Sequence, residues 1–581
     1  MMSTTYWADI MPTRKILQKH QNLHMREFFM TNRLTANTAV LNTATAELNK
    51  YLERMSIFNT SYSFTLRVDA SLPSDELHIS VCNDKVTLAG GNGRGVLYAV
   101  YRFLEHLGCR FYAEDTEVVP SLTGEALAAL LPNGLEIKEA SPLEFRDLYW
   151  GNTYRPDFAV KLRLNAGRAG SGTHPRDIPT EWGDCIGYAG PHFVHTFEKL
   201  IPAEEFFETH PEYFSMINGE RTAKHLYSQI CLSNPDVFHI VVDRVKGWLR
   251  ENPRAKIVSV SQNDSFVIES YCTCPACAAV DAEEGSPAGS LVRFVNAVAE
   301  AIEPEFPDVA IDTLAYAYST TPPKITKPRH NVMVRLCTGY CISHPIEECE
   351  RNKTIKECME TWATMCDRLY VWDYTTDFLQ YLAPCPNLES LMPNIRFFVK
   401  NHTKGLFEQG NYNGGKSGEF DDLRAFILAK GMWDPYTEPD TDGFLEAFYG
   451  GGAPYVKKYL DYIHAKTRDL DVSPVYACSN LWNPLISDED MAELDAWWKD
   501  AYEAALNGGT TAGGFGISAQ LAAEHVERSA LCHRWFKLDC KRGEFADDTT
   551  FDTLAEAFYK DCKRLGVERI SEGANVPWID K

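Results

Sequence analysis

The sequence predicts an α/β protein built on a (β/α)8 TIM barrel, with an N-terminal α+β domain before it and a C-terminal helical domain after it. Three observations carry this reading. Between residues 141 and 437 short apolar runs alternate with helical ones, and such alternation over roughly 290 residues suits a barrel that needs about 250. Residues 1–140 mix strand-like alternation with a single long amphipathic stretch. Residues 438–581 carry helical periodicity almost throughout. The expected domains are therefore 1–140, 141–437 and 438–581.

In the first segment, Ser63 to Val68 alternates like a strand, and ELHISVCNDKVTLA (76–89) reads as a hairpin turning at Asn83-Asp84. GGNGRG then leads into VLYAVYRFLEHLG, where Leu97, Val100, Tyr101, Leu104 and Leu107 share one helical face ahead of Gly108. The glycines lack the Lys-Ser/Thr ending and βαβ setting of a phosphate loop, so a tight strand-to-helix turn is the expected structure.

In the barrel segment the expected strands are 144–150, 162–166, a region near 190–197, 256–264, 309–318, 332–337, 369–373 and 405–408. Expected helices cover 235–251, 289–302, 354–366, 388–400 and 419–430. Residues 168–234, rich in Gly, Pro and His, read as long loops over the barrel top. The last segment offers helices at 442–449, 453–466, 488–507, 518–536 and 551–565.

Composition narrows function. The chain has 581 residues, 45% hydrophobic and 24% charged, with a net charge of −23. That charge opposes binding to a phosphate backbone, so no nucleic-acid partner is expected. The first twenty residues hold no apolar signal segment, and no run reaches membrane-spanning length. The chain as given is expected in the cytoplasm without a membrane partner, or outside it if a leader was trimmed away. Seventeen scattered cysteines also fit a reducing compartment better than a disulfide framework.

Chemistry is expected at the C-terminal ends of the strands, where barrel loops converge. RLYVWDY ends on Asp373 between Trp372 and Tyr374, and GLFEQGNY carries Glu408 ahead of Asn411 and Tyr412. Aromatic faces stack on sugar rings, amides bind hydroxyls, and a carboxyl pair supplies an acid and a second charge. Glu408, after Leu406 and Phe407, is the expected acid, because burial would raise its pKa. Asp373 is the expected charged partner, and Asp264 of VSVSQND, beside Asn263, is the third catalytic candidate. Arg146 and Trp150 of EFRDLYWG are expected to clamp and stack on substrate, unless Arg146 serves an internal ion pair. Among His192, His195 and His210, one is expected to bind sugar, with His192 first. No HExxH frame is present for a catalytic metal.

Cys272, Cys274 and Cys277 form a CxCxxC cluster shortly after Asp264, and Cys231 of QICLSNP is the candidate fourth ligand. A structural zinc is one reading of these thiols; redox use, a disulfide or inert burial are the others. No cofactor is expected to take part in catalysis.

The order of parts is similar to that of glycoside hydrolase families 20 and 67. LAGGNGRGVLYAVYRFLEHLGCRFY, HPEYFSMINGER, QICLSNP, YCTCPAC, YVWDY and GLFEQGNY, spread over about residues 80 to 435, resemble glycoside hydrolase family 163. The resemblance implies an endo-β-N-acetylglucosaminidase that cleaves the N,N'-diacetylchitobiose core of complex N-glycans with retention, assisted by the substrate's own acetamido group. Two alternatives stay open. One is an inverting exo-glycosidase of the α-glucuronidase type; the other is a non-catalytic glycan-binding barrel.

Overall fold

A computed structural model describes residues 38–577, apart from 169–173, 192, 225–227, 266, 268, 340, 417, 469–484, 509–513 and 541–546. The chain forms two compact units. The first comprises the described part of Met1–Leu107 with Leu122–Ala140 and Pro179–Asp184; the second comprises Gly108–Ser121, Ser141–Ile178 and Cys185–Lys581.

In the first unit, strands Ser63–Val68, Lys85–Gly90, Leu77–Cys82 and Glu136–Glu139 form one sheet in that order. Leu77, Ile79 and Val81 are buried while His78 and Ser80 between them are not, the period-two pattern of a half-buried strand. The expected face of helix Gly93–His106 is buried on this unit's core. The glycine run is a turn filled by its own chain. A Cβ on Gly90 would lie 2.1 Å from the carbonyl carbon of Gly95, and one on Gly91 would lie 1.7 Å from Pro73 O. Asn92 closes the helix start by accepting from Gly95 N at 2.8 Å.

The second unit is organised by a parallel seven-stranded sheet. Its strands are β1 (Phe145–Tyr149), β2 (Tyr188–Ala189), β3 (Ile257–Ser259), β4 (Ala310–Ala315), β5 (Val332–Cys337), β6 (Leu369–Tyr374) and β7 (Gly405–Gln409). They pair in the order β1-β7-β6-β5-β4-β3-β2, so the sheet curls like a half-barrel between its edges β1 and β2. A regular eighth strand, expected at 162–166, does not close it. Pro156–Lys161 is helical, and Arg163 has φ +60°, a left-handed geometry that ends an extended run. Only Ala166 forms a bridge, to Ile186. Asn165 partly replaces the missing ladder: its amide points to Arg146 O at 3.3 Å, and its side chain accepts from Arg146 N at 2.8 Å.

Strand periodicity sorts the side chains into two faces. Phe145, Tyr188, Ile257, Ala310, Met333 and Tyr370 fill the lower inner layer. Tyr149, Leu314, Cys337, Trp372 and Phe407 form the upper one. Between them the buried guanidinium of Arg335 meets Asp312 at 3.4 Å and lies near the rings of Phe145, Tyr188, Tyr370 and Phe407. Helices Pro235–Glu251, Ala288–Ile302, Lys353–Met365, Leu388–Lys400 and Asp421–Trp433 follow the strands. Apolar residues of the first two pack with Val258, Ile311 and Val332 of β3, β4 and β5. The helices beyond residue 440 belong to this same unit. Among the described residues, no helix is long and apolar enough to cross a membrane.

Candidate active site

A cavity of about 250 Å³ opens at the C-terminal ends of the strands, lined by Tyr149, His195, Asp264, Trp372, Tyr412 and Glu572 among others. Its walls follow from strand parity: Tyr149 ends β1, Trp372 and Tyr374 face inward from β6, and Gln409 ends β7. The rings brace one another. Tyr149 and Tyr412 stack at 4.8 Å, and Phe193 stacks on Trp372 at 5.8 Å. Trp372 Nε1 donates to Gln409 Oε1 at 2.8 Å, which fixes the indole in the cavity wall.

Two carboxylates enter this aromatic cavity. Asp264 follows β3 on an irregular loop, is exposed, and accepts from Tyr316 Oη at 3.2 Å. Its neighbour Asn263 holds the loop: Asn263 Oδ1 accepts from Glu198 N at 2.7 Å, and Asn263 N donates to Gln229 Oε1 at 2.7 Å. Glu572 arrives from the C-terminal segment. Its amide donates to Phe378 O at 2.8 Å, and its carbonyl accepts from Asn413 Nδ2 at 2.9 Å. Burial raises the Glu572 carboxyl above the usual range; a hydrogen bond from Tyr412 opposes this, and the negative charge of Asp264 adds to it. One acid is thus biased toward its protonated form beside a second, exposed one, a pairing that suits proton donation next to a fixed negative charge.

His195 also lines the cavity. Its φ of +55° turns the chain there, and Nδ1 lies 2.9 Å from Gln262 O. With Nδ1 donating to that carbonyl, Nε2 becomes an acceptor. His192 lies outside the described residues. His210 is elsewhere, stacked on Tyr213 at 4.7 Å.

Of the other expected site residues, Trp372, Tyr374, Tyr412 and Asp264 line the cavity and the rest do not. Asp373 and Glu408 alternate with Trp372 and Phe407, so they point to the outer face of the sheet. They are register partners, 5% and 0% exposed. Thr338 Oγ1 donates to Asp373 at 2.5 Å. Burial pushes Asp373 up to about 6 and Glu408 well above its ordinary value, the Asp373 charge adding to the latter. Arg146 also faces outward; its guanidinium donates to Arg163 O at 2.8 Å and Leu143 O at 2.6 Å and lies over Trp433. It holds the scaffold there and lines no part of the cavity. Trp150 is fully buried against Gly410, where a Cβ would come within 1.9 Å of the indole. Asn411 is fully buried and reaches Gly414 O at 3.3 Å. Asn263 positions its loop, as above.

Sequence reasoning missed Tyr149, Phe193, Tyr316, Gln409 and Glu572. Parity could have found Tyr149 and Gln409, which share a face with Asp147 and Phe407. Nothing local marks Glu572, which comes from a turn far along the chain. The four expected metal ligands Cys231, Cys272, Cys274 and Cys277 do converge, at a separate place from the cavity.

The sequence matches, over residues 111–461, the family described as Domain of unknown function (DUF4838). A search of curated proteins finds no match. Among solved structures, the chain is similar to the family 89 glycoside hydrolase from Clostridium perfringens in complex with PUGNAc, with 12% identity and a TM-score of 0.54. A second structure of that enzyme, holding its substrate GlcNAc-alpha-1,4-galactose, gives 11% identity and a TM-score of 0.52. Each likeness covers 93% of this chain and 66% of the other. These neighbours are glycoside hydrolases, and the likeness is one of fold.

Proposed function

We propose that this chain, which belongs to the DUF4838 family, is a glycoside hydrolase acting on glycans that contain N-acetylglucosamine. One observation carries the reading: Asp264 and Glu572 enter an aromatic-walled cavity at the C-terminal ends of parallel strands. Aromatic walls stack on pyranose rings, and a carboxyl whose proton affinity burial raises, beside a second carboxyl, can supply the acid and the charge that glycoside cleavage needs. The fold-level likeness to an enzyme solved with GlcNAc-alpha-1,4-galactose supports a 2-acetamido sugar.

In this reading Glu572 is the acid. Its proton passes to the glycosidic oxygen as the bond from that oxygen to the anomeric carbon breaks. The acetamido carbonyl oxygen of the substrate bonds to the anomeric carbon, and Asp264 stabilises the positive charge on the acetamido nitrogen. Water then attacks the anomeric carbon as its bond to the acetamido oxygen breaks and the acetamide is restored, and the proton lost by the water returns to Glu572. Retention follows from these two displacements. The β-linkage and endo action follow from the family 163 resemblance, and the N-glycan core is the substrate it favours.

The test is product release, read by mass, from α- and β-linked aryl N-acetylglucosaminides, aryl glucuronides and N-glycoproteins. Cleavage of a 2-acetamido substrate, lost in Asp264→Asn on every substrate and in Glu572→Gln on the N-glycoproteins with their poor leaving groups, is the expected result. Turnover of glucuronides alone would favour the α-glucuronidase alternative. Binding without turnover across the panel would leave a glycan-binding protein.

A further inference from the structure

We propose that Cys231, Cys272, Cys274 and Cys277 hold one structural zinc ion, and that this clamp sets the loop carrying Asp264. The four thiols come from separate places. Cys231 precedes helix Pro235–Glu251, Cys272 and Cys274 flank Thr273, and Cys277 lies in the first turn of helix Pro275–Glu284. Their sulfurs all lie within 4.8 Å of one another. Cys231 Sγ stands 3.7 Å from Cys274 Sγ and 4.0 Å from Cys277 Sγ. A tetrahedron of sulfurs around zinc, at about 2.3 Å per bond, has edges of about 3.8 Å. A disulfide would bring two of them to about 2.05 Å. Both distances are close to that edge and far from a disulfide's.

The donor set and surroundings agree. Four thiolates with no carboxylate among them select a soft or borderline ion over magnesium or calcium. All four cysteines are 5% exposed or less, so the site is closed, as structural zinc sites are. Met216 N donates to Cys272 Sγ at 3.3 Å, Arg221 Nη1 donates to the same sulfur at 3.5 Å, and Ser233 Oγ lies 3.0 Å from Cys277 Sγ. Such donors support thiolate ligands, and the guanidinium offsets the negative charge that four thiolates leave around a divalent ion. The local core also needs a staple. Among the described residues, the apolar side chain packed against these sulfurs is Met216, which opens a hairpin whose strands, Met216–Ile217 and Glu220–Arg221, have two residues each. A hairpin that short does not hold itself.

The clamp lies close in sequence to the cavity loop. Gln229, two residues before Cys231, accepts from Asn263 N at 2.7 Å and donates to Asn263 O at 3.0 Å. Asn263 directly precedes Asp264. Fixing Cys231 to the 272–277 segment therefore fixes Gln229 against the loop from both ends. This second part rests on the role proposed for Asp264; the zinc site does not.

The experiment uses full-length protein purified without chelator. Elemental analysis is expected to give one zinc per chain, released as a mercurial reagent titrates the cluster, and cobalt exchange is expected to give thiolate-to-cobalt charge-transfer bands. Cys274→Ser should retain less than a tenth of the zinc, while Cys82→Ser, outside the cluster, retains it all. Removing zinc should speed amide exchange over 260–272 by tenfold or more and leave helix Leu388–Lys400 unchanged. Iron in place of zinc, a disulfide among the four, or reduced protein that takes up neither zinc nor cobalt would overturn the site. If Cys274→Ser does not fold, the metal ratio and cobalt spectrum of the parent still decide. Unchanged exchange over 260–272 after zinc loss would overturn the positioning role alone, whatever the turnover assays give.

Discussion

The inner and outer faces of β6 and β7 carry polar groups at the same height, yet only the inner one lines the cavity. Inside, Trp372, Tyr374 and Gln409 line the cavity that Asp264 and Glu572 enter. Outside, Asp373 and Glu408 are register partners, both buried and both raised. The outer pair is raised by burial and has the poorer access. A perturbed carboxyl is thus a measure of burial first, and geometry has to decide whether it is a catalytic one.

Four substitutions sharpen this contrast, from the largest expected effect to the smallest. Glu572→Gln is expected to lower kcat/KM at least a hundredfold on substrates with poor leaving groups, about 2.7 kcal/mol, and far less on activated aryl glycosides. Equal losses on both kinds, in steady-state assays, would remove Glu572 as the proton donor.

Asp373→Asn is expected to act on stability instead. The native carboxyl binds its proton up to about pH 6, whereas the unfolded one releases it near pH 3.9. Between these values the native state holds more protons, so stability falls as pH rises through the window. The parent should lose on the order of 1–3 kcal/mol from this group between pH 4 and pH 8. The Asn variant should lose correspondingly less, as read from urea midpoints at the two pH values. An unchanged pH slope would mean the pair is not the buried, proton-holding site described.

Arg146→Lys should cost about 1–3 kcal/mol of stability through the carbonyls of Leu143 and Arg163 that its fork holds. KM should stay within about twofold, and a tenfold rise in KM in a folded variant would restore it as a substrate ligand. Tyr412→Phe should have the smallest effect. It removes a hydrogen bond that lowers the Glu572 pKa, so the alkaline limb of the kcat/KM profile should move to higher pH. A shift to lower pH would contradict the assignment.

Much of this was legible in the amino-acid order. The seven strands lie within or beside their expected ranges because apolar runs buried on both faces are hard to mistake. The closure failed at 162–166 because Arg163 turns left-handed, which no hydrophobic pattern announces. The expected pair Asp373 and Glu408 does not line the cavity, for a simpler reason. Trp372 and Tyr374 were expected to frame a substrate, and a residue between two inward neighbours on a strand must point outward. Asp373 could not join them, and Glu408 follows Phe407 in the same way. Asp264 was within reach because it ends its run on a loop. Glu572 was not, since its place depends on Phe378 and Asn413 holding a distant turn over the cavity.

The most direct test of the inner-face assignment is kcat/KM for Asp264→Asn and Asp373→Asn on one 2-acetamido substrate at one pH where both are folded. The account predicts a loss of a hundredfold or more for Asp264→Asn and less than threefold for Asp373→Asn. A large loss confined to Asp373→Asn, with Asp264→Asn close to the parent, would contradict it.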